Sequence, residues 1–242
     1  DFWNEYGLVL KEGPAEDREN KDTIASLLLF ATTYANSKDC DQTLDDYLER
    51  MGNDQDKIYY CVADTFEAAA NSPHIEGLKS KGIEVLLLTD RIDEWVMAGL
   101  MEYQGKELIN VAKEDIVDEE TKKVSEGDQE IISKIQKHLG DKVSDVIISK
   151  RLTDSASCIV LPKHEPGAQL RKILEASGQT LGSSNPIFEI NMKHKLVKKL
   201  KDMKGKQFNS FVDFLYDYAV IAEGGSPQDP SKYLRQLDKY LS

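Results

Sequence analysis

The stretch KIYYCVADTFEAAANSPHIEGLKSKGIEVLLLTD, residues 57–90, decides how the first half of the chain folds. KIYYCVAD and IEVLLLTD are nearly continuous apolar runs, the pattern of strands covered on both faces. Between them SPHIEGLKSKG reads as a helix, and Gly82 is suited to the left-handed turn that closes one. Strand, helix and strand within about 30 residues make a βαβ unit. A mostly parallel sheet between helices is therefore expected.

Outward from this unit the signals are weaker. Downstream, Asp90 can cap a helix whose first turn holds Asp93 and Glu94, both suited to the positive end of its dipole. Ile92, Trp95, Val96, Gly99 and Leu100 fall on one stripe of that helix, and GKELINVAK reads as a further strand. Spacing alone makes Trp95 a core residue. Upstream, Phe2, Trp3 and Tyr6 have helical spacing and Gly7 stands where a C-cap would, followed by a loop LKEGPAEDREN. Ile24, Leu27, Leu28 and Ala31 predict a helix running to about Tyr34, and Thr43 with Asp46 has the spacing of a capping box ahead of LDDYLERM. The chain opens on Asp1 inside a helical pattern, so a piece of a longer protein is expected.

Between Asp115 and Glu130 there are seven acidic residues against two lysines, with little apolar periodicity. This is the candidate boundary: a domain over 1–115, an acidic linker over 116–127 and a second domain over 128–242. In the second, IISKIQKHLG is a helix ending at Gly140, KVSDVIISKRL and SCIVLPK are a pair of strands, and PIFEIN is a third. Helices over PGAQLRKILEASG, KQFNSFVDFLYDYAVIAEGG and PSKYLRQLDKYLS complete it. The fold class is α/β followed by α+β: a small αβα part with a mostly parallel sheet, then a short sheet with helices.

Composition and motifs exclude more than they assign. Of 242 residues 40% are hydrophobic and 31% charged, as in a soluble globular protein, and the net charge of −12 disfavours nucleic acid and anionic membrane as partners. No apolar run approaches the roughly 18 residues of a membrane span, and no signal pattern opens the chain, so a cytoplasmic location is expected. GxGxxG, GxxxxGK[ST], HExxH and GxSxG are absent, the four histidines are far apart in sequence, and no carboxylate pair is marked by spacing. No catalytic, cofactor or metal residue is assigned. Cys40, Cys61 and Cys158 have no CxxC spacing and read as reduced thiols. KHKLVKKLKDMKGK reads as a solvated helix face with Leu196, Val197 and Leu200 turned inward.

The last two helices carry surplus apolar surface. Phe208, Phe211, Val212, Leu215, Ala219 and Ala222 form one stripe, and Phe214, Tyr218 and Ile221 a second beside it. Tyr233, Leu234, Leu237, Tyr240 and Leu241 form the stripe of the final helix. Either these helices fill a large internal core, or they associate with a second copy about a two-fold axis. Pattern leaves both open.

YGLVLKEGPAED (6–17), KIYY (57–60), KGIEVLLLTDRIDEW (81–95), SDVIISKRLTD (144–154), FEIN (188–191) and QDP (228–230) together resemble the heat shock protein 90 chaperones, in the family's order and most closely in its bacterial form. The resemblance implies the end of a middle domain followed by a C-terminal dimerisation domain. ATP and Mg would then be cofactors of the full-length protein, bound upstream, and this segment itself would be no enzyme. It implies a homodimer through the final helices, with Phe211, Leu215, Tyr218, Leu234, Leu237 and Leu241 as interface residues. It also implies unfolded or partly folded client proteins as partners, and another chaperone system. Trp95 and the amphipathic helix bearing Leu170, Ile173 and Leu174 are the implied client-binding residues, although pattern alone would put the Leu170 stripe in a core. Pro166 stands where the bacterial family often has methionine, which reduces the flexible sulfur contacts that suit varied clients. A tryptophan is large enough to serve core and client at once, so a half-buried ring is expected at Trp95. The alternative function is an α/β enzyme with a dimerising helical tail; a purely structural adaptor is a third.

Overall fold

A computed structural model describes residues 2–113, 125–162, 165–167, 170–171, 174, 177–178 and 185–241. The chain divides into two compact units. One comprises Asp1–Asn71, Leu78–Asp115 and Pro166–Gly182, the other Ser72–Gly77, Ile116–Glu165 and Ser183–Ser242.

In the first unit the helices are α1 (Phe2–Glu16), α2 (Lys21–Ser26), α3 (Leu44–Arg50), α4 (Phe66–Ala70), α5 (Glu76–Ser80, which begins in the other unit) and α6 (Asp93–Gly99). The strands are β1 (Ala31–Thr32), β2 (Lys57–Val62), β3 (Val85–Leu88), β4 (Glu102–Tyr103) and β5 (Lys106–Asn110), in the order β1-β3-β2-β5-β4. β2 runs parallel to both β3 and β5, as the βαβ reading of residues 57–90 requires, and β1 and β4 are antiparallel edges. All four residues of β3 are buried, because helices cover both faces. β4 and β5 form a hairpin through Gln104 and Gly105, both at positive φ, the backbone of a two-residue turn that matches strand twist. Thr43 and Asp46 form the expected capping box: the Thr43 hydroxyl accepts from the Asp46 amide, and the Asp46 carboxylate accepts from the Thr43 amide.

Three local readings are corrected. Gly7 does not end α1: it is buried in mid-helix under the Trp3 indole, where a Cβ would lie 2.9 Å from the ring. The predicted loop LKEGPAEDREN is helical as far as Glu16, because tertiary contacts of Lys11 and of Gly13, which lies against Ile24, hold it. The helix expected from Ile24 to Tyr34 stops at Ser26, and Ala31–Thr32 join the sheet opposite Leu87 and Leu86. An apolar run such as LLLFA serves helix and buried strand equally, and edge pairing decides it.

The second unit has α7 (Glu126–Leu139), β6 (Asp145–Ile148), β7 (Ser157–Val160), β8 (Ile187–Ile190), α8 (Lys195–Lys198), α9 (Gly205–Ala222) and α10 (Pro230–Leu241). Its strands run in the order β6-β8-β7, with β8 parallel to β6 and antiparallel to β7. The two strands read as a pair are therefore separated by the third. Ile135, Val146, Phe188, Ile190, Phe211, Val212 and Leu215 build the core. Residues 72–77 are fastened within this unit. His74 Nε2 lies 2.6 Å from Glu223 Oε1, and the Glu76 carboxylate accepts the amides of Thr153, Asp154 and Ser155. Val197 and Leu200 of the basic run are buried and Leu196 partly so.

Candidate functional site

The start of α6 is set by charge. Lys11 Nζ, buried on α1, lies 2.6 Å from Asp93 Oδ1 and 2.6 Å from Asp90 Oδ2. Burial alone would lower the Lys11 ammonium, but the two carboxylates outweigh it and raise it above its ordinary value. Burial pushes Asp93 up, against the pull of Lys11. The Asp90 side chain is therefore not the helix cap that its position suggested. It is engaged by Lys11, while Asp93 Oδ2 accepts from the Asp90 amide at 2.9 Å and closes the turn from within the helix.

With α6 fixed in this way, Val96 and Leu100 are fully buried and Ile92 packs on the core, while Trp95 stays 39% exposed. Met101, just past the helix, is exposed as well. Glu94, next to Trp95, is buried, and its carboxylate accepts hydrogen bonds from the backbone amides of Gly167 and Leu170. The chain segment carrying Leu170 and Leu174 is thus held to α6, and both leucines are half-buried. Ile173 lies outside the described residues. Sequence reasoning missed Glu94, although a signal existed: HEPGAQL opens a helix with no Ser, Thr, Asp or Asn at its start, so the cap must come from elsewhere.

The residues expected at a dimer contact fall into distinct environments. Phe211 and Leu215 are fully buried in the core of their own unit, so neither is surface available to a second copy. The physical reason is the sheet: α9 packs on β7, and Ser157 Oγ donates to the Leu215 carbonyl at 2.9 Å. Tyr218 and Leu237 are partly buried against the same core, and Tyr240 stands edge-on to Phe211 with ring centroids 4.6 Å apart. Leu234 is 58% exposed and Ile221 is exposed also. The Leu241 side chain lies outside the described residues.

The histidines His74, His138 and His194 serve local structure. His138 Nε2 pairs with Asp213 at 2.8 Å, and His194 Nδ1 accepts from the Leu196 amide in capping α8. Cys61 and Cys158 are buried thiols, and burial pushes Cys158 well up from its ordinary range. Among the described residues no cluster of three or more His, Cys, Asp or Glu could hold a metal, and no helix is long and apolar enough to cross a membrane.

The family model for Hsp90 protein matches residues 1–242. The chain belongs to the Hsp90 family. It is 45% identical to the chaperone protein HtpG of Aromatoleum aromaticum over 99% of its length, and 44% identical to that of Pseudoalteromonas translucida over 99%. It is 45% identical to that of Chromobacterium violaceum over 100% of its length. It covers 38%, 39% and 40% of these three proteins respectively, so it spans about two-fifths of the relatives it matches. Of the described candidates for client and dimer contact, Trp95 on α6 and Leu234 on α10 are the most exposed, at 39% and 58%, while Leu170, Leu174, Tyr218 and Leu237 are partly buried.

Proposed function

We propose that this chain is part of a molecular chaperone that binds non-native proteins, supplying a share of the client surface and the contact between two copies. The observation that carries this reading is Trp95, 39% exposed and next in sequence to the Glu94 that binds the Gly167 and Leu170 amides, in a chain belonging throughout to the Hsp90 family. Partly exposed aromatic and aliphatic groups suit apolar stretches of many sequences, which is what a chaperone meets. In this reading residues 1–115 end a middle domain, 116–127 link, and 128–242 dimerise. ATP hydrolysis with Mg belongs to a part of the parent outside this chain, and this chain alone neither binds nor hydrolyses ATP. Family membership favours this reading over that of an α/β enzyme with a helical tail.

The test is suppression of aggregation of a chemically unfolded model protein. The chain should suppress it, and a variant with Leu170, Ile173 and Leu174 all changed to Ser should do so much less while sedimenting as the parent does. Equal suppression by the two proteins would remove the segment from the client surface.

A further inference from the structure

Glu94 is a carboxylate only 6% exposed, and burying it is costly unless its charge is answered. Part of the answer comes from another part of the chain. Oε1 accepts the Gly167 amide, and Oε2 accepts the Leu170 amide at 3.0 Å. The Arg171 amide in turn donates to the Gly167 carbonyl at 2.9 Å, so Gly167 opens a helical turn. The amides of a first turn have no partner within their own helix and sit at its positive end, where a carboxylate is the best acceptor. Glu94 fills that place from α6.

Gly167 is what lets it come so close. A Cβ at this position would lie 2.7 Å from Glu94 Oε1 and 2.8 Å from Oε2, nearer than such atoms approach. Any side chain there would push the carboxylate off both amides. Pro166 before it leads the chain into the turn, and HEPGAQL contains no Ser, Thr, Asp or Asn.

We propose that Glu94 is a positioning residue, whose carboxylate clasps the first turn of the segment beginning at Gly167 and holds Leu170 and Leu174 beside Trp95 as one apolar surface for a non-native polypeptide. The clasp itself stands on geometry, whereas its use for clients rests on the function proposed above. Glu94 acts through the segment and does not itself touch the client.

Two readouts on the same chain separate these parts. Backbone amide exchange reads the clasp without any client, and binding of a permanently unfolded probe, reduced and carboxymethylated α-lactalbumin, reads the surface. Glu94→Ala and Gly167→Ala attack the clasp from its two sides, the second keeping the Glu94 side chain but displacing its carboxylate. Each should speed exchange at Gly167 and Leu170 by about tenfold or more, as expected for loss of a hydrogen bond to a charged group. Each should weaken probe binding to a similar degree, and the double variant should be no weaker than either single one. Glu94→Gln, which keeps the shape and one acceptor oxygen, should fall between. Unchanged exchange in Glu94→Ala would overturn the clasp. Losses of binding that add in the double variant would overturn the positioning role, since Glu94 would then contact the probe directly. No binding of the probe by the parent chain would sink the chaperone reading and the shared surface with it, while exchange still decides the clasp. A thermal melt of each variant confirms that the unit remains folded.

Discussion

Lys11 on α1 and Asp93 at the start of α6 form an ion pair of 2.6 Å with both side chains buried. Asp90, partly exposed, is a second acceptor, and the Phe30 ring lies 5.9 Å from the ammonium. Two carboxylates on one lysine leave the cluster short of positive charge, which is why burial can push Asp93 up even in contact with Lys11. The pair orients α6, and α6 carries both Glu94 and Trp95.

Removing one member of a buried pair leaves the other charged and unanswered. Lys11→Met should therefore destabilise the first unit by about 3–5 kcal/mol. Asp93→Asn added to that variant should restore part of the loss. Urea denaturation with an unchanged slope measures both. A cost for Lys11→Met of only about 1 kcal/mol would place the cluster among exposed pairs, which contribute little.

Trp95 is 39% exposed while its neighbours Val96 and Leu100 are fully buried. A fully buried tryptophan cut to alanine costs about 3–5 kcal/mol. Trp95→Ala should cost less, about 1–2 kcal/mol by denaturant titration, and should weaken binding of an unfolded probe. A full core penalty with unchanged binding would make the ring structural only.

How much of this could be read from the residues depends on the range of the contact involved. The parallel strands over 57–62 and 85–88, the capping box at Thr43 and the helix over 205–222 all follow from local periodicity or spacing. The continuation of α1 through Gly7 is hidden in the sequence, because the glycine there makes room for the Trp3 ring about one turn earlier, by close packing and not by a left-handed φ. Residues 24–34 depart from the helix their spacing predicts because one apolar run satisfies both periods until β3 offers an edge at Leu86 and Leu87. Phe211 and Tyr240 illustrate the remaining difficulty: a stripe tells that a helix face is covered, but whether by its own sheet or by a second copy depends on packing far along the chain. The same holds for residues 72–77 and for Gly167 and Leu170, placed by His74 with Glu223 and by Glu94 across long sequence separations. Linear spacing carries no signal for these.

Asp213 on α9 lies between His138 of α7, at 2.8 Å, and Lys232 of α10, at 2.9 Å. Burial alone would raise its carboxyl, but hydrogen bonds from Lys232 and His138 outweigh that and hold it below the usual range. A lowered folded value means that its stabilisation is complete above the unfolded carboxylate value near about 4 and is lost as pH falls through the folded value. Asp217 on the same helix is pushed up by burial and contributes with the opposite sign, so the comparison must be between variants. Asp213→Asn should lower stability at neutral pH and leave a shallower loss on acidification than the parent shows. Parallel acid limbs for parent and variant would remove Asp213 from the response.

Exposure separates core from contact on the last two helices. Phe211 is fully buried and stacks edge-on with Tyr240, so Phe211→Ala should cost about 3–5 kcal/mol of unfolding free energy through the cavity it leaves. Leu234, 58% exposed, makes little internal packing, and Leu234→Glu should leave the fold of a protomer intact. If two copies associate through this face, the glutamate places a desolvated charge at their contact, and the variant should sediment as a monomer at micromolar concentration where the parent is a dimer. Sedimentation with circular dichroism distinguishes the outcomes. A dimer that survives Leu234→Glu would move the contact off the exposed face of α10, and a parent that is already monomeric would remove self-association from the proposed function.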